Sequence, residues 1–171
     1  MGTKRALRQT ADTRRRELAP PVLDEVLAEL LSGALRVAAY VAVGGEPRVT
    51  VQPGWLLPVV TDDWDLDWAV FDGSLHPSRG LQEPTGPLLG RAAIATCDLV
   101  LVPALLVDRH GVRLGKGGGC YDRALPRTQG LTVALIHDHE LVDALPSEPH
   151  DVRVDAVATP SSGVLRFPAK M

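Results

Sequence analysis

Cysteine is scarce: Cys97 and Cys120 are the only two in 171 residues. Two thiols build neither a disulfide framework nor a metal-ligand cluster. No stretch approaches the ~20 apolar residues of a membrane span. The charged N-terminus has no apolar core of the kind that marks a signal peptide. Basic excess is missing too, since 18 Lys and Arg face 21 Asp and Glu for a formal net charge of −3. A nucleic-acid partner normally requires a basic surface, so none is expected. No internal repeat or low-complexity segment interrupts the chain. What is present, 45% apolar and 23% charged residues, is ordinary for a globular protein. The expectation is one domain, residues 1–171, in a reducing cytoplasm, with no membrane partner.

Hydrophobic periodicity then orders the chain. Residues 3–17 read as a basic helix with Leu7 and Ala11 on one face. Lys4 and Arg8 share a face at i,i+4, and Arg14 to Arg16 read as solvated surface. Pro20–Leu31 reads as a second helix that Gly33 stops. Arg36–Val43, Leu56–Val60, Asp98–Pro103, Leu131–Ile136 and Val154–Ala158 read as strands, and 139–144 as a short helix. Residues 72–97 read as loop, with a short helix at Ile94. The acidic run Asp62, Asp63, Asp65 and Asp67 lacks the glycine and terminal glutamate of a calcium loop. It leads to Trp68 and Phe71, which suit the core or a flat ligand. Apolar segments alternating with helices argue an α/β fold.

One stretch stands out: Asp108 to Arg123, DRHGVRLGKGGGCYDR. It reads as strand, glycine loop, helix start. Gly115, Gly117, Gly118 and Gly119 let backbone N–H groups crowd round an anion. Arg113 and Lys116 bring full charges, and the next helix adds its dipole. The residues make a phosphate cradle, with Asp122 placed for a divalent metal. A plain glycine-rich surface loop is the alternative. The P-loop motif is excluded because Gly117 follows Lys116, and the dinucleotide spacing fits poorly.

The run VPALLVDRHGVRLGKGGGCYDR resembles the signature of the 5-formyltetrahydrofolate cyclo-ligase (methenyltetrahydrofolate synthetase) family, with Pro103, Asp108, Gly111, Arg113, Leu114, Gly115, Gly117, Gly119, Tyr121, Asp122 and Arg123 in register. Glu83-Pro84 and ALPSEPHDVRVDAVATP are similar to further family segments, so the likeness covers nearly the whole chain. It implies a three-layer α/β/α sandwich with a mostly parallel sheet, similar to ribose-5-phosphate isomerase and CoA-transferase folds. It also implies ATP- and Mg²⁺-dependent cyclisation of 5-formyltetrahydrofolate to 5,10-methenyltetrahydrofolate. On this likeness Arg113, Lys116 and Tyr121 are catalytic. Lys4, Arg8, Arg113, Gly115, Lys116, Gly117, Gly118, Gly119, Cys120 and Tyr121 hold ATP. Arg8, Glu46, Lys116 and Tyr121 hold the folate, and Asp122 and Asp151 hold Mg²⁺.

Three departures stand beside the likeness. Cys120 replaces a Tyr or Phe, Gly118 stands where some members carry lysine, and Arg48–Gly54 is too short and too β-like for the family's helix before Leu56. Two other functions fit the residues: a nucleotide- and folate-binding module without turnover, and an ATP-dependent kinase or ligase acting on another small carbonyl compound.

Overall fold

The structure, a computed structural model, describes residues 2–169. In chain order the strands are β1 (Val37–Ala38), β2 (Leu56–Val60), β3 (Leu66–Val70), β4 (Leu75–Ser78), β5 (Leu81–Pro84), β6 (Leu99–Pro103), β7 (Leu106–Asp108), β8 (Arg113–Leu114), β9 (Leu131–Leu135), β10 (Leu141–Val142), β11 (Ala156–Thr159) and β12 (Gly163–Arg166). The α-helices are α1 (Lys4–Arg16), α2 (Asp24–Gly33) and α3 (Cys120–Ala124). Short 3-10 segments lie at Arg91–Thr96, Leu125–Arg127 and Asp138–Glu140. The result is an α/β fold with a mixed, mainly parallel sheet and helices on both faces.

Seven strands form the main sheet in the order β12-β11-β9-β6-β1-β2-β3. The interior pairs are parallel and the two outer pairs antiparallel. The period-two rule explains why β6 is apolar throughout. Leu99 and Leu101 cluster with Leu23, the N-cap of α2, and Leu27 within it. Val100 and Val102 face Ile94, Ala124 and Leu125 on the other side. Both faces are covered, so no polar alternation survives.

Several elements differ from expectation. α2 starts at Asp24, because Val22 instead bridges Arg48. Only Val37 and Ala38 of the 36–43 run join the ladder. The connection from β1 to β2 carries no helix. Its middle runs extended past the start of α2, with Leu23 N–H donating to Arg48 O at 2.8 Å and Thr50 N–H to Asp24 Oδ1 at 2.8 Å. Backbone bonding to α2's threshold thus replaces a crossover helix. Residues 72–97 contain the β4–β5 hairpin. The expected helix at 139–144 is a 3-10 turn followed by β10, which pairs with β7. The strand expected at 154–158 is β11, and β12 returns beside it. Trp68 is fully buried and Phe71 nearly so, both in the core.

Candidate active site

The glycine loop is delivered by more than one strand. Between β6 and the loop the chain makes the β7–β8 hairpin. Asp108 fixes its turn, accepting from the N–H groups of His110 and Val112 at 2.9 and 3.0 Å, and from Leu145 N–H at 3.0 Å. Asp108 is therefore a buried turn-former. Gly119 closes the loop with φ 78° as the N-cap of α3. A Cβ there would lie 2.6 Å from the Arg123 guanidinium, which donates to Gly118 O and Trp64 O. α3 has only five residues, so the expected dipole contribution is small and the charged side chains carry the attraction for anions.

The loop walls a cavity of about 380 Å³. Arg8, Glu46, Arg113, Gly115, Lys116, Gly117, Gly118, Gly119, Cys120, Tyr121 and Asp122 all line it. Arg8 Nε donates to Gly115 O at 2.8 Å, fastening α1 to the loop. Arg113 Nε donates to Pro103 O at 2.7 Å, and its guanidinium lies 3.5 Å from Asp122 and 5.4 Å from the Tyr121 ring centroid. Burial pulls the Arg113 pKa down, yet an arginine stays charged. Burial likewise pushes the Tyr121 hydroxyl far up, and that hydroxyl has no hydrogen-bond partner among the described residues. The Cys120 thiol is also raised by burial, so it is no ready nucleophile. Glu46, on another segment, is buried, accepts from Val43 N–H at 2.9 Å and pairs with Lys116 of the loop at 3.0 Å.

Lys4 and Asp151 do not line this cavity. They pair with each other at 3.2 Å, and Asp151 also accepts from Glu148 N–H at 2.8 Å. Burial pushes the Asp151 carboxyl up, but the Glu148 N–H and Lys4 outweigh it and leave it below its ordinary range. Among the described residues no three His, Cys, Asp or Glu gather into a metal-binding group.

The sequence model of the 5-formyltetrahydrofolate cyclo-ligase family matches residues 2–160. The chain belongs to this family. A cyclo-ligase of Mycolicibacterium smegmatis is 38% identical over 92% of this chain and 94% of the relative. One from Escherichia coli is 37% identical over 47% of this chain and 46% of its own length. The fold matches the 5,10-methenyltetrahydrofolate synthetase of Aquifex aeolicus with a TM-score of 0.76 at 24% identity, covering 98% of this chain and 94% of that one. It also matches the synthetase of Mycoplasma pneumoniae, with a TM-score of 0.68 at 19% identity over 91% and 98% of the two chains.

The cyclo-ligase cavity includes residues that sequence reasoning missed. Arg15, expected on the surface, is buried against Glu140, with Nε donating at 2.7 Å and the other arm of the guanidinium at 2.8 Å. It also donates to Ala104 O and lines the cavity. Nothing in a run of three arginines distinguishes the middle one. Glu83 is buried and accepts from Val60 N–H at 2.8 Å. Trp64, not Trp68 or Phe71, is the tryptophan at the cavity, and Arg79 lies there too. Three carboxylates of the acidic run pair with arginines, Asp62 with Arg79, Asp63 with Arg91 and Asp65 with Arg91 and Arg127, while Asp67 accepts from the Trp68 and Gly90 N–H groups.

Proposed function

We propose that this protein cyclises 5-formyltetrahydrofolate to 5,10-methenyltetrahydrofolate, converting ATP to ADP and phosphate. One observation carries the reading beyond family membership. A single cavity is lined by the glycines and cations of the loop and by a buried carboxylate, Glu46, which pairs with Lys116. That is an inventory for two ligands, one polyanionic and one with N–H donors.

The formyl oxygen is a poor leaving group. Transfer of the γ-phosphoryl breaks its bond to ADP and makes an O–P bond to that oxygen, giving an iminium phosphate. N10 attacks the formyl carbon, the C–O bond breaks, phosphate carries the oxygen away and N10 loses its proton. Phosphoryl transfer needs positioning and charge neutralisation more than covalent help. Arg113, Lys116 and the amides of 115–119 supply this at the phosphates, with Arg8 reaching in from α1 and Tyr121 and Cys120 bordering the nucleotide. Glu46 accepts from the pterin's N–H groups. Lys4 joins the phosphates by leaving Asp151.

Mg²⁺ carried with ATP would neutralise charge on the phosphate oxygens. Asp122 fits it: a half-exposed oxygen donor on the cavity wall. An ion that keeps waters and phosphates needs only one or two carboxylates, so the lack of a larger acidic group is compatible. Asp151 would serve as the second after exchanging Lys4 for the ion. The layered sheet supports the likeness to ribose-5-phosphate isomerase and CoA-transferase folds. Two free cysteines support a reducing, cytoplasmic setting.

Mixing the protein with Mg-ATP and 5-formyltetrahydrofolate and following methenyl absorbance tests the reading. Absorbance should rise with stoichiometric ADP. Binding without turnover would leave a folate- and nucleotide-binding module. ATP hydrolysis indifferent to folate would point to a kinase or ligase of another carbonyl compound.

A further inference from the structure

The carboxylate that meets the pterin in the proposed function sits on a turn with little stiffness of its own. Gly44 and Gly45 precede Glu46, and Gly44 holds φ 55°, in the left-handed region. The turn closes on itself. Glu46 N–H donates to Val43 O at 3.1 Å, and Val43 N–H donates back to Glu46 Oε2 at 2.9 Å. Those bonds set the shape of the turn but not its place in the molecule. A bond from outside fixes the place: His137 Nε2 lies 2.8 Å from Gly45 O, one residue before the carboxylate.

His137 is itself firmly held. It follows β9, an interior strand of the main sheet, and the preceding Ile136 N–H extends the pairing to β11 by donating to Ala158 O at 3.1 Å. The residue is buried, and the His139 ring packs on its ring with centroids 5.6 Å apart. Its side chain accepts from the Glu140 N–H and so caps the 3-10 segment, while Glu140 Oε1 accepts from the His137 N–H at 2.8 Å. A carbonyl can only accept, so Nε2 carries the ring proton toward Gly45, and Nδ1 is left as the acceptor in the cap. Both nitrogens are engaged, which sets one tautomer and one orientation. His137 does not line the cavity, so it can reach a ligand only through the turn.

We infer that His137 is a positioning residue for folate recognition: its Nε2–H bond to Gly45 O holds the Glu46 carboxylate where the N–H groups of the pterin meet it. The inference rests on the cyclo-ligase reading. A carboxylate that accepts from a rigid ring must be held within about 0.5 Å of its working position. A turn with two glycines and no outside tie would have to be ordered when the ligand binds, at the expense of affinity.

Two substitutions separate the two ring nitrogens. His137→Asn puts an amide where Nδ1 stands; it keeps a good cap and falls short of Gly45. Its Tm should hold, KM for 5-formyltetrahydrofolate should rise roughly tenfold, and KM for ATP should stay at the wild-type value. His137→Gln reaches Gly45 with its amide N–H but caps poorly, so Tm should fall while KM for the folate stays near wild type. Glu46→Gln gives the effect of losing the carboxylate, and adding His137→Asn to it should raise KM no further. KM that follows Tm in both His137 variants would leave the histidine a structural residue and overturn the inference. So would additive losses in the double variant. A rise in KM for ATP equal to that for the folate would also overturn it, placing the effect on Lys116 and the glycine loop. An unchanged folate KM in Glu46→Gln would take the carboxylate away from the pterin, and the inference would fall with it. Wild-type protein that does not turn over 5-formyltetrahydrofolate would sink the cyclo-ligase reading itself.

Discussion

Arg113 is the residue on which the glycine loop and the cavity meet. Its Nε is tied to Pro103 O, so the guanidinium is aimed before any ligand binds. Replacing it with alanine removes a phosphate contact from a preorganised, poorly hydrated position. Arg113→Ala should lower kcat/KM by roughly a hundredfold, about 2.7 kcal/mol of transition-state stabilisation. Steady-state kinetics with both substrates check this, and wild-type turnover would remove the loop from the phosphate site. Asp122 poses a different question, because its carboxylate also lies 3.5 Å from the Arg113 guanidinium. Asp122→Asn keeps the shape and removes the charge. If Asp122 holds Mg²⁺, activity falls and its Mg²⁺ titration moves to higher concentration, with little change in Tm. If it only complements Arg113, the Mg²⁺ titration overlays the wild type. At this scale the sequence told much about the loop, since Gly115 to Asp122 are neighbours in the chain. It told nothing of Arg15, Trp64 or Arg79, whose roles come from tertiary neighbours far away in sequence.

α1 works as an element with two ends. Its first half reaches the loop through Arg8, and its last turn is anchored by Arg15 on Glu140. Gly45 allows the close approach: a Cβ there would sit 3.0 Å from Arg15 Cβ and 3.1 Å from Arg15 O. The same glycine's carbonyl meets His137 Nε2 at 2.8 Å, and Glu140 caps His137 N–H at 2.8 Å. The helix, the 44–46 turn and the end of β9 therefore share one buried network. Two perturbations of one helix should then separate. Deleting residues 1–8 should weaken ATP binding roughly tenfold, the loss of charge-assisted contacts, and lower Tm only slightly. Arg15→Ala leaves Glu140 buried and unpaired and should cost about 3–5 kcal/mol of stability. Calorimetric titration and thermal unfolding read the two effects. An unchanged ATP Kd after the deletion would take Lys4 and Arg8 out of the nucleotide site and leave them as structural contacts to Asp151 and Gly115. The periodicity of α1 was visible in the sequence, whereas the network was not, because an arginine paired with a distant glutamate looks like any other arginine.

At the scale of the whole molecule the main sheet was legible where both faces are covered, since β2 and β6 are unbroken apolar runs and β9 is broken only by Thr132. β7, β8, β10 and β12 were harder, being two to four residues long and held by pairing partners that no local pattern names. What ties the sheet to its covering turns is partly ionic. Asp65, buried at the start of β3, receives both arms of Arg127 at 2.7 and 2.6 Å, Arg91 at 3.1 Å and the Leu66 N–H at 2.7 Å. It thus joins a main-sheet hairpin to the 3-10 turns at 91–96 and 125–127. Hydrogen bonding from Arg127 is the chief cause that holds its carboxyl down to about 2, against burial that pushes it up. An unfolded aspartate titrates near ~3.9, so its stabilisation is complete above that pH and disappears as pH falls through the folded value. The shift corresponds to an effect on the order of 2 kcal/mol. Asp98 and Asp138 are lowered as well, mainly by backbone N–H groups, so the acid limb of stability has several contributors. Comparison with Asp65→Asn isolates one of them. The variant should be less stable at neutral pH, where it leaves Arg91 and Arg127 short of a charge. Its Tm should then fall less steeply than the wild type's between about pH 4 and about pH 2, so that the two curves converge. Curves that stay parallel through that window would show that Asp65 is not the ionic tie between the sheet and its turns.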